Sequence, residues 1–155
     1  MPKSHHDFAA IKALSRIKSF RIAGVRINLR DELAVDAGNL SKEFEHQTER
    51  AGFWRYKRAV ALRKLQRSES ELEELEATRF IQYLNLYNQK GETYTDFLIK
   101  QEVRCDERVI EKREEVLIAR NQFQILDAIC VAFEHRKSSL ISLGAEQRDE
   151  RPLSV

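Results

Sequence analysis

The chain has 155 residues, the length of about one domain. Charged residues make up 34% of it and hydrophobic residues 42%, which excludes a disordered composition and suits long helices with solvated faces. The net charge of +2 excludes a polycation, and the longest apolar run, ICVAF, is far shorter than a membrane span. The charges are nevertheless segregated: residues 1–30 hold seven Lys or Arg and one acid, and residues 50–67 hold seven and none. Such segregation indicates a surface that meets polyanions.

The first 30 residues are predicted to form a basic arm with a small β element. Apolar residues recur every third position at Phe8, Ile11, Leu14 and Ile17, which predicts a short amphipathic helix. VRINLR, residues 25–30, alternates apolar and polar side chains and predicts a strand, which the preceding FRIAG would extend with a bend at Gly24. A transit peptide has a similar composition, so a cleaved presequence and a structural arm both stay open.

The remainder is predicted to be helical. Prolines occur only at Pro2 and Pro152. One long helix is expected from about Gly38 to Asn88, with capping boxes that allow a break near Ser68. A turn is expected at Gly91, followed by an unbroken helix over 95–143 that ends at a Gly144 cap. The predicted divisions are the arm at 1–30, a helical domain at 31–146 and a disordered tail at 147–155.

The last helix carries an apolar seam that predicts oligomerisation. Residues on alternating three- and four-residue steps form an a/d pattern, with a second stripe beside it. A helix over 95–143 is roughly 70 Å long at 1.5 Å per residue, too long for a monomer of this size to bury, so it should pack on a partner or be broken by a kink. The predicted fold is therefore mainly α, an elongated helical hairpin with a small N-terminal β element that oligomerises through a coiled-coil-like C-terminal helix. The predicted oligomerisation residues are Val116, Phe123, Leu126, Ile129, Cys130, Phe133 and Leu140.

Catalytic and metal-binding patterns are not found. The two cysteines, Cys105 and Cys130, are far apart in sequence and are interpreted as reduced thiols in a cytoplasmic protein. No histidine and cysteine stand at the spacing of a zinc site. The chain has no glycine-rich phosphate loop and no nucleophile elbow. We therefore expect a protein that is not an enzyme and that needs no metal or cofactor.

The strongest functional signal is FWRYKRAVALRKLQR, residues 53–67, which combines three aromatic and six basic side chains without an acid. The next eleven residues, SESELEELEAT at 68–78, carry five glutamates and no base. A basic stripe neutralises phosphates, and an exposed aromatic ring stacks on an unpaired base. In the alternative interpretation the apolar residues of this stretch are core, namely Phe53, Trp54, Val60, Leu62 and Leu65, and the arginines pair with the glutamates of 69–76 or with those of a neighbour. Polyanion contact is favoured for the basic side chains, because six bases without a nearby acid are left unpaired locally. The candidate DNA-binding residues here are Trp54, Arg55, Tyr56, Lys57, Arg58, Arg63, Lys64 and Arg67.

Five stretches of the sequence, through their order and spacing, resemble a known protein family. They are LRDELAVDAGNLSKEFEHQ, the aromatic-basic FWRYKR, LEATRFIQYLNLYNQKG before the glycine turn, the charged EVRCDERV and the apolar ILDAICVAFEHRKSSLISLGA. In order and spacing, over about residues 25–146, the chain resembles the UvsY-like recombination mediators of large tailed phages. The third stretch is similar to that family's Leu-Lys-Ala-Arg-Leu-Asp-Tyr-Tyr segment, and the last to its C-terminal oligomerisation helix.

One departure from the family changes the inferred site. The family's Lys-x-Arg pair, implicated in binding single-stranded DNA, reads Glu76-Ala77-Thr78-Arg79 here. Only Arg79 carries over, with Tyr83 and Tyr87 as aromatic counterparts. The first 24 residues are additional to the family pattern and would serve as an extra DNA or partner arm.

The resemblance implies a homo-oligomer that acts in DNA recombination and repair without catalysing a reaction. Such a mediator binds single-stranded DNA and helps a RecA-like recombinase displace the single-stranded DNA-binding protein. It works in the cytoplasm, which is the host's if the chain is of phage origin, and it does not involve a membrane. The alternative is a structural or adaptor coiled-coil protein, for example of a phage particle, whose basic face meets protein rather than DNA.

Overall fold

The computed structural model describes residues 20–22 and 25–149, and over these it is mainly helical. Two short strands, β1 (Phe20–Ile22) and β2 (Val25–Ile27), pair antiparallel with Phe20 opposite Ile27. The strand pattern read over 25–30 stops at Ile27, because the chain turns into helix α1 (Leu29–Leu33). The amphipathic helix predicted over residues 8–17 lies outside the described residues.

Three further helices account for most of the chain. After a 3-10 turn at Ala37–Asn39, the helices are α2 (Leu40–Lys90), α3 (Asp96–Cys105) and α4 (Glu107–Asp149). The turn predicted at Gly91 is confirmed, and Gly91 has a φ of 67°, which glycine adopts without strain. Ser68 lies inside α2 and is buried, so the optional break there does not occur.

The helical segment predicted over 95–143 is broken at Asp106, and a break is one of the two outcomes that its length predicts. This residue has an extended backbone, with φ −62° and ψ 125°, between α3 and α4. Its Oδ1 accepts hydrogen bonds from the backbone N–H groups of Arg108 at 3.0 Å and Val109 at 3.4 Å. Asp106 is therefore an N-cap that satisfies the first turn of α4.

The predicted helix end at Gly144 is wrong, since α4 continues through it to Asp149. An ideal Cβ at Gly144 would stand 3.7 Å from Cε2 of Phe44, so the ring lies directly against this part of the helix. Residues 147–149, placed in the predicted disordered tail, are helical. Gly144 thus serves packing rather than termination.

The described chain forms two compact units, of which the first comprises residues up to 58 together with those from 125 onward. Its core contains Trp54, Ile129, Phe133 and Leu140, each no more than 2% exposed. The ring centroids of Trp54 and Phe133 are 6.5 Å apart. These large apolar side chains supply most of the stability of this unit through burial.

A buried polar network also holds the first unit together. The guanidinium of Arg136, 4% exposed, donates to Gln47 Oε1 at 2.6 Å and to the carbonyl of Ala34 at 2.9 Å, and it pairs with Glu43. Gln47 in turn donates to the carbonyl of Phe133 at 2.7 Å. A buried charge is tolerated only with such partners, so this network fixes how α2 and α4 meet in this unit.

The second unit comprises residues 59–124 and has two apolar clusters. Leu65, Val116 and Ala119 form one, with Leu72 and Phe123 against it. Ile99, Val103 and Val109 form the other, and around it pack Leu72, Leu75, Phe80, Tyr83, Leu84, Tyr87 and Tyr94. Short α3 is amphipathic and buries Ile99 and Val103, which explains why it folds back after the Gly91 turn.

By length and composition alone, α4 would be able to cross a membrane. Core helices of soluble proteins pass the same test, and α4 buries Val109, Ile129 and Phe133 inside this chain. Its charged residues Arg120 and Asp127 are ion-paired with α2. These contacts join α4 to the rest of the chain within each unit.

Candidate nucleic-acid interface

Of the aromatic residues near position 54, Trp54 belongs to the core. It is 2% exposed, with the Phe53 ring edge-on at 5.1 Å and Phe133 on another side. The interpretation of Trp54 as a ring that stacks on a DNA base is therefore wrong, because a buried ring cannot meet a base. Tyr56 is 65% exposed and remains an accessible ring.

Two of the predicted DNA-binding arginines are already ion-paired. Arg55 pairs with Glu134, and Arg58 pairs with Asp127. The expectation that these bases lack a nearby acid is wrong, because their partners lie on α4 and are 79 and 69 residues away in sequence. Lys57, on the same helix, has its ammonium 5.3 Å from the centroid of the Phe53 ring, a cation–π contact.

The last three predicted bases form an exposed face on α2 in the second unit. Val60, Arg63, Lys64 and Arg67 stand at helical spacing and are all exposed, and we call them the basic face. Among the described residues Arg63 and Lys64 have no ion-pair partner, and the Arg67 side chain is 82% exposed although it donates to Glu71 at 2.8 Å. This face is able to meet a phosphate chain without first losing a buried contact.

The acidic run at 69–76 pairs mainly with α4. Glu69 pairs with Arg120, Glu71 with Lys112 and Glu76 with Arg113, each at 2.7 Å. Hydrogen bonds from Lys112 and Arg67 lower the pKa of Glu71, and bonds to Glu115 and Glu71 raise the pKa of Lys112. The glutamates therefore stabilise the packing of two helices, which accounts for an acid-rich run beside a base-rich one.

Arg79, the residue that matches the family's DNA-binding pair, supports the α3–α4 break. Its Nε lies 3.3 Å from Asp106 Oδ2, and these side chains are only 20% and 9% exposed. The hydroxyl of Tyr83 donates to the same oxygen at 3.1 Å, and burial, together with this bond, raises the pKa of Tyr83. The Tyr87 hydroxyl donates to Glu102 Oε1 at 3.5 Å, and the Tyr87 side chain packs on the cluster around Ile99. Arg79, Tyr83 and Tyr87 therefore all contact other side chains of the same chain in this structure.

The predicted oligomerisation residues lie inside the two units. In the first unit Leu126, Ile129, Phe133 and Leu140 are buried and Cys130 is half-buried. In the second, Val116 is buried and Phe123 packs on the Leu65 cluster. Because α2 already covers much of this seam, a partner chain would have to bind elsewhere or displace α2.

Sequence reasoning missed an exposed face of α4 within the second unit. Positions 107, 110, 111, 114, 117, 118 and 121 share one side of the helix, and all of them are exposed. Three are large and apolar, namely Ile110, Leu117 and Ile118, at 44%, 55% and 56% exposure. The seven-residue spacing of Ile110 and Leu117 was a signal for this face. The longer apolar seam on the same helix was the more prominent pattern.

Within the part of the chain that the structure describes, no group of three or more His, Cys, Asp or Glu side chains is arranged to hold a metal ion. No protein-family model matches the chain, and no curated protein and no solved structure shows significant similarity to it.

Proposed function

We propose that this protein is a recombination mediator that binds single-stranded DNA and helps load a RecA-like recombinase onto strands coated by single-stranded DNA-binding protein. The observation that carries the proposal is the basic face of α2, where Arg63 and Lys64 are exposed and unpaired among the described residues. Lys and Arg side chains that are exposed without acids bind phosphates by releasing counterions. The proposal also rests on the order of sequence features that resembles UvsY-like mediators.

The contacts divide into two kinds. Arg63, Lys64 and Arg67 would neutralise phosphates, which positions the strand without reading its sequence. In the first unit, Tyr56 is an accessible ring that is able to stack on an unpaired base, a separate contact worth roughly 1–3 kcal/mol. Arg55, Arg58 and Arg79 would contribute only after leaving their carboxylate partners, so we assign them a smaller role.

A mediator has to bind a strand and then release it. Three phosphate contacts in one chain give a weak site, and a homo-oligomer makes such a site effective by raising the local concentration of further sites. The strand is released when contacts break one subunit at a time. We therefore include homo-oligomerisation in the proposed function.

The test is a triple substitution, Arg63→Ala, Lys64→Ala and Arg67→Ala, with binding to single-stranded DNA measured across salt concentrations. The three contacts should contribute about −2 to the wild-type log–log slope, at ~0.7 per contact, so the variant should bind more weakly with a slope that is flatter by this amount. A matched control replaces three other exposed bases by alanine: Lys42, Lys100 and Arg104. Equal losses in both variants, or none in the first, would reject the basic face as the site.

The second candidate function is a structural or adaptor protein. It is favoured by the exposed apolar residues Ile110, Leu117 and Ile118, since such patches mark protein contacts. It requires no DNA binding. A wild-type protein that assembles but does not bind single strands at low salt would support this candidate over the mediator.

A further inference from the structure

The exposed face of α4 in the second unit combines apolar and acidic side chains. Ile110, Leu117 and Ile118 stand among exposed glutamates, and no base shares the face. The glutamates, which form no ion pair among the described residues, are Glu107, Glu111 and Glu114. We call these six residues the acidic face. Apolar residues rimmed by one sign of charge are typical of a docking surface for an oppositely charged amphipathic helix.

The same chain carries such a helix surface. The basic face has Val60, 46% exposed, with Arg63, Lys64 and Arg67 around it, and the next acid along the helix, Glu71, is paired with Arg67 and Lys112. Both faces follow helical spacing, with Val60 among three bases on α2 and with the apolar pair Ile110 and Leu117 seven residues apart on α4. Two such helices can lie side by side with their apolar and charged positions in register.

We propose that the acidic face of one copy binds the basic face of a second copy. Ion pairs between Glu111 or Glu114 and Arg63 or Lys64 would set the register and orientation. Val60 would cover part of the apolar surface of Leu117 and Ile118. A second copy is the occupant because its basic face is opposite in charge to the acidic face and presents an exposed apolar residue, Val60, among the bases.

This contact is heterologous, because the two faces differ. Each copy that uses one face leaves its other face open for the next copy, so assembly proceeds head to tail into a ring or a filament. If the basic face is also the DNA site, as the proposed function has it, self-association and single-stranded DNA compete for the same side chains. The acidic face of a neighbouring copy would then occupy the basic face in place of DNA phosphates, and DNA would displace that acidic face.

The experiment uses charge reversal in the full chain. The acidic-face variant is Glu111→Lys with Glu114→Lys, and the basic-face variant is Arg63→Glu with Lys64→Glu. Each variant alone brings like charges together and should lower self-association by at least about 100-fold. An equimolar mixture restores opposite charges at the contact and should assemble. Sedimentation velocity at low salt measures the assembly, and far-UV circular dichroism checks that helix content is kept.

The matched control is Glu45→Lys with Glu49→Lys, which makes the same charge change at exposed positions in the first unit. It should assemble like the wild type. The inference is overturned if the wild type is monomeric at all accessible concentrations, if the control loses assembly as fully as the acidic-face variant, or if the mixture fails to assemble.

Single-strand binding by the same variants separates this inference from the proposed function. The acidic-face variant should bind single-stranded DNA at least as tightly as the wild type, because its basic face is uncovered. The basic-face variant should lose both assembly and DNA binding. If it loses assembly but keeps DNA binding, the DNA site is elsewhere while the self-association contact stands. If it loses DNA binding but still assembles, the basic face is the DNA site and the proposed self-association contact is rejected.

Discussion

Trp54 and Tyr56 are two residues apart on α2 and have opposite surroundings. Trp54 is 2% exposed against Phe133, whereas Tyr56 is 65% exposed. Two positions correspond to about 200° around a helix, so one ring faces the core when the other faces solvent. The composition of the run shows that aromatic residues are present, and the helix phase decides which of them is able to touch DNA.

The first residue-scale prediction follows from the burial of Trp54. Trp54→Ala should lower the free energy of unfolding by about 3–5 kcal/mol, because it removes a large ring and leaves a cavity. Urea denaturation followed by circular dichroism measures this loss. DNA affinity per folded molecule should stay close to that of the wild type. A loss below about 1 kcal/mol with much weaker DNA binding would show that the ring contacts DNA instead.

The second residue-scale prediction concerns the pH dependence of the Glu71 ion pairs. Lys112 and Arg67 hold the pKa of Glu71 below its ordinary value of 4.5. A carboxyl group with a lowered pKa in the folded state stabilises the fold above its unfolded pKa and loses this effect as pH falls through the folded value. The wild type should therefore exceed Glu71→Gln in stability at neutral pH, and the difference should vanish as pH falls well below 4.5.

Urea denaturation at several pH values checks this expectation. The matched control is Glu73→Gln, since Glu73 is exposed and has no ion pair among the described residues. Its stability difference from the wild type should be small and nearly independent of pH. A Glu71→Gln difference that stays constant from neutral to strongly acidic pH would mean that the ion pairs do not contribute.

At the scale of elements, the break between α3 and α4 depends on Asp106. Its Oδ1 caps α4, and its Oδ2 accepts from Tyr83 and pairs with Arg79, so one carboxylate joins α2 to the start of α4. The extended backbone at Asp106 separates α4 from α3, which buries Ile99 and Val103.

Replacing Asp106 tests whether the cap or the charge matters more. Asp106→Ala should lower the free energy of unfolding by about 2 kcal/mol, since loss of an N-cap costs ~0.5–2 kcal/mol and an ion pair is lost with it. Asp106→Asn should cost less, because asparagine caps as well as aspartate does and loses only the charge. Chemical denaturation of both variants gives the comparison. Equal losses would assign the effect to the ion pair with Arg79.

Much of the helical content was predictable from the sequence, because Pro is absent from the interior and Gly91 stands alone at a polar turn. The break at Asp106 was not, since no Gly or Pro marks it and its main partners are Arg79 and Tyr83, more than 20 residues upstream. The ion pairs that Arg55 and Arg58 form were not predictable for the same reason, because their acidic partners lie far away in sequence on α4. Local spacing identified the basic residues, and only tertiary packing showed which of them stay exposed.

At the scale of the whole molecule, the net charge of +2 conceals a strong contrast between segments. Residues 1–24 contain five Lys or Arg and one acid, so the remaining residues, 25–155, carry a net charge of −2. A chain that is slightly negative beyond its first segment binds DNA only if its bases are concentrated at a site. The basic face of α2 and the N-terminal segment are therefore separable contributors.

Removing residues 1–24 distinguishes the two contributors. The described helices begin at Leu29, so the shortened protein should keep its helix content. Its affinity for single-stranded DNA should fall at low salt, because four net positive charges are lost and DNA is repelled by the rest of the chain. The basic face remains, so a residual salt dependence with a log–log slope of about −2 should persist. Adding Arg63→Ala, Lys64→Ala and Arg67→Ala to the shortened chain should then abolish binding, as measured by fluorescence anisotropy across salt. If the shortened chain alone no longer binds at any salt concentration, the DNA site lies in the first 24 residues, and the basic face of α2 is left with self-association.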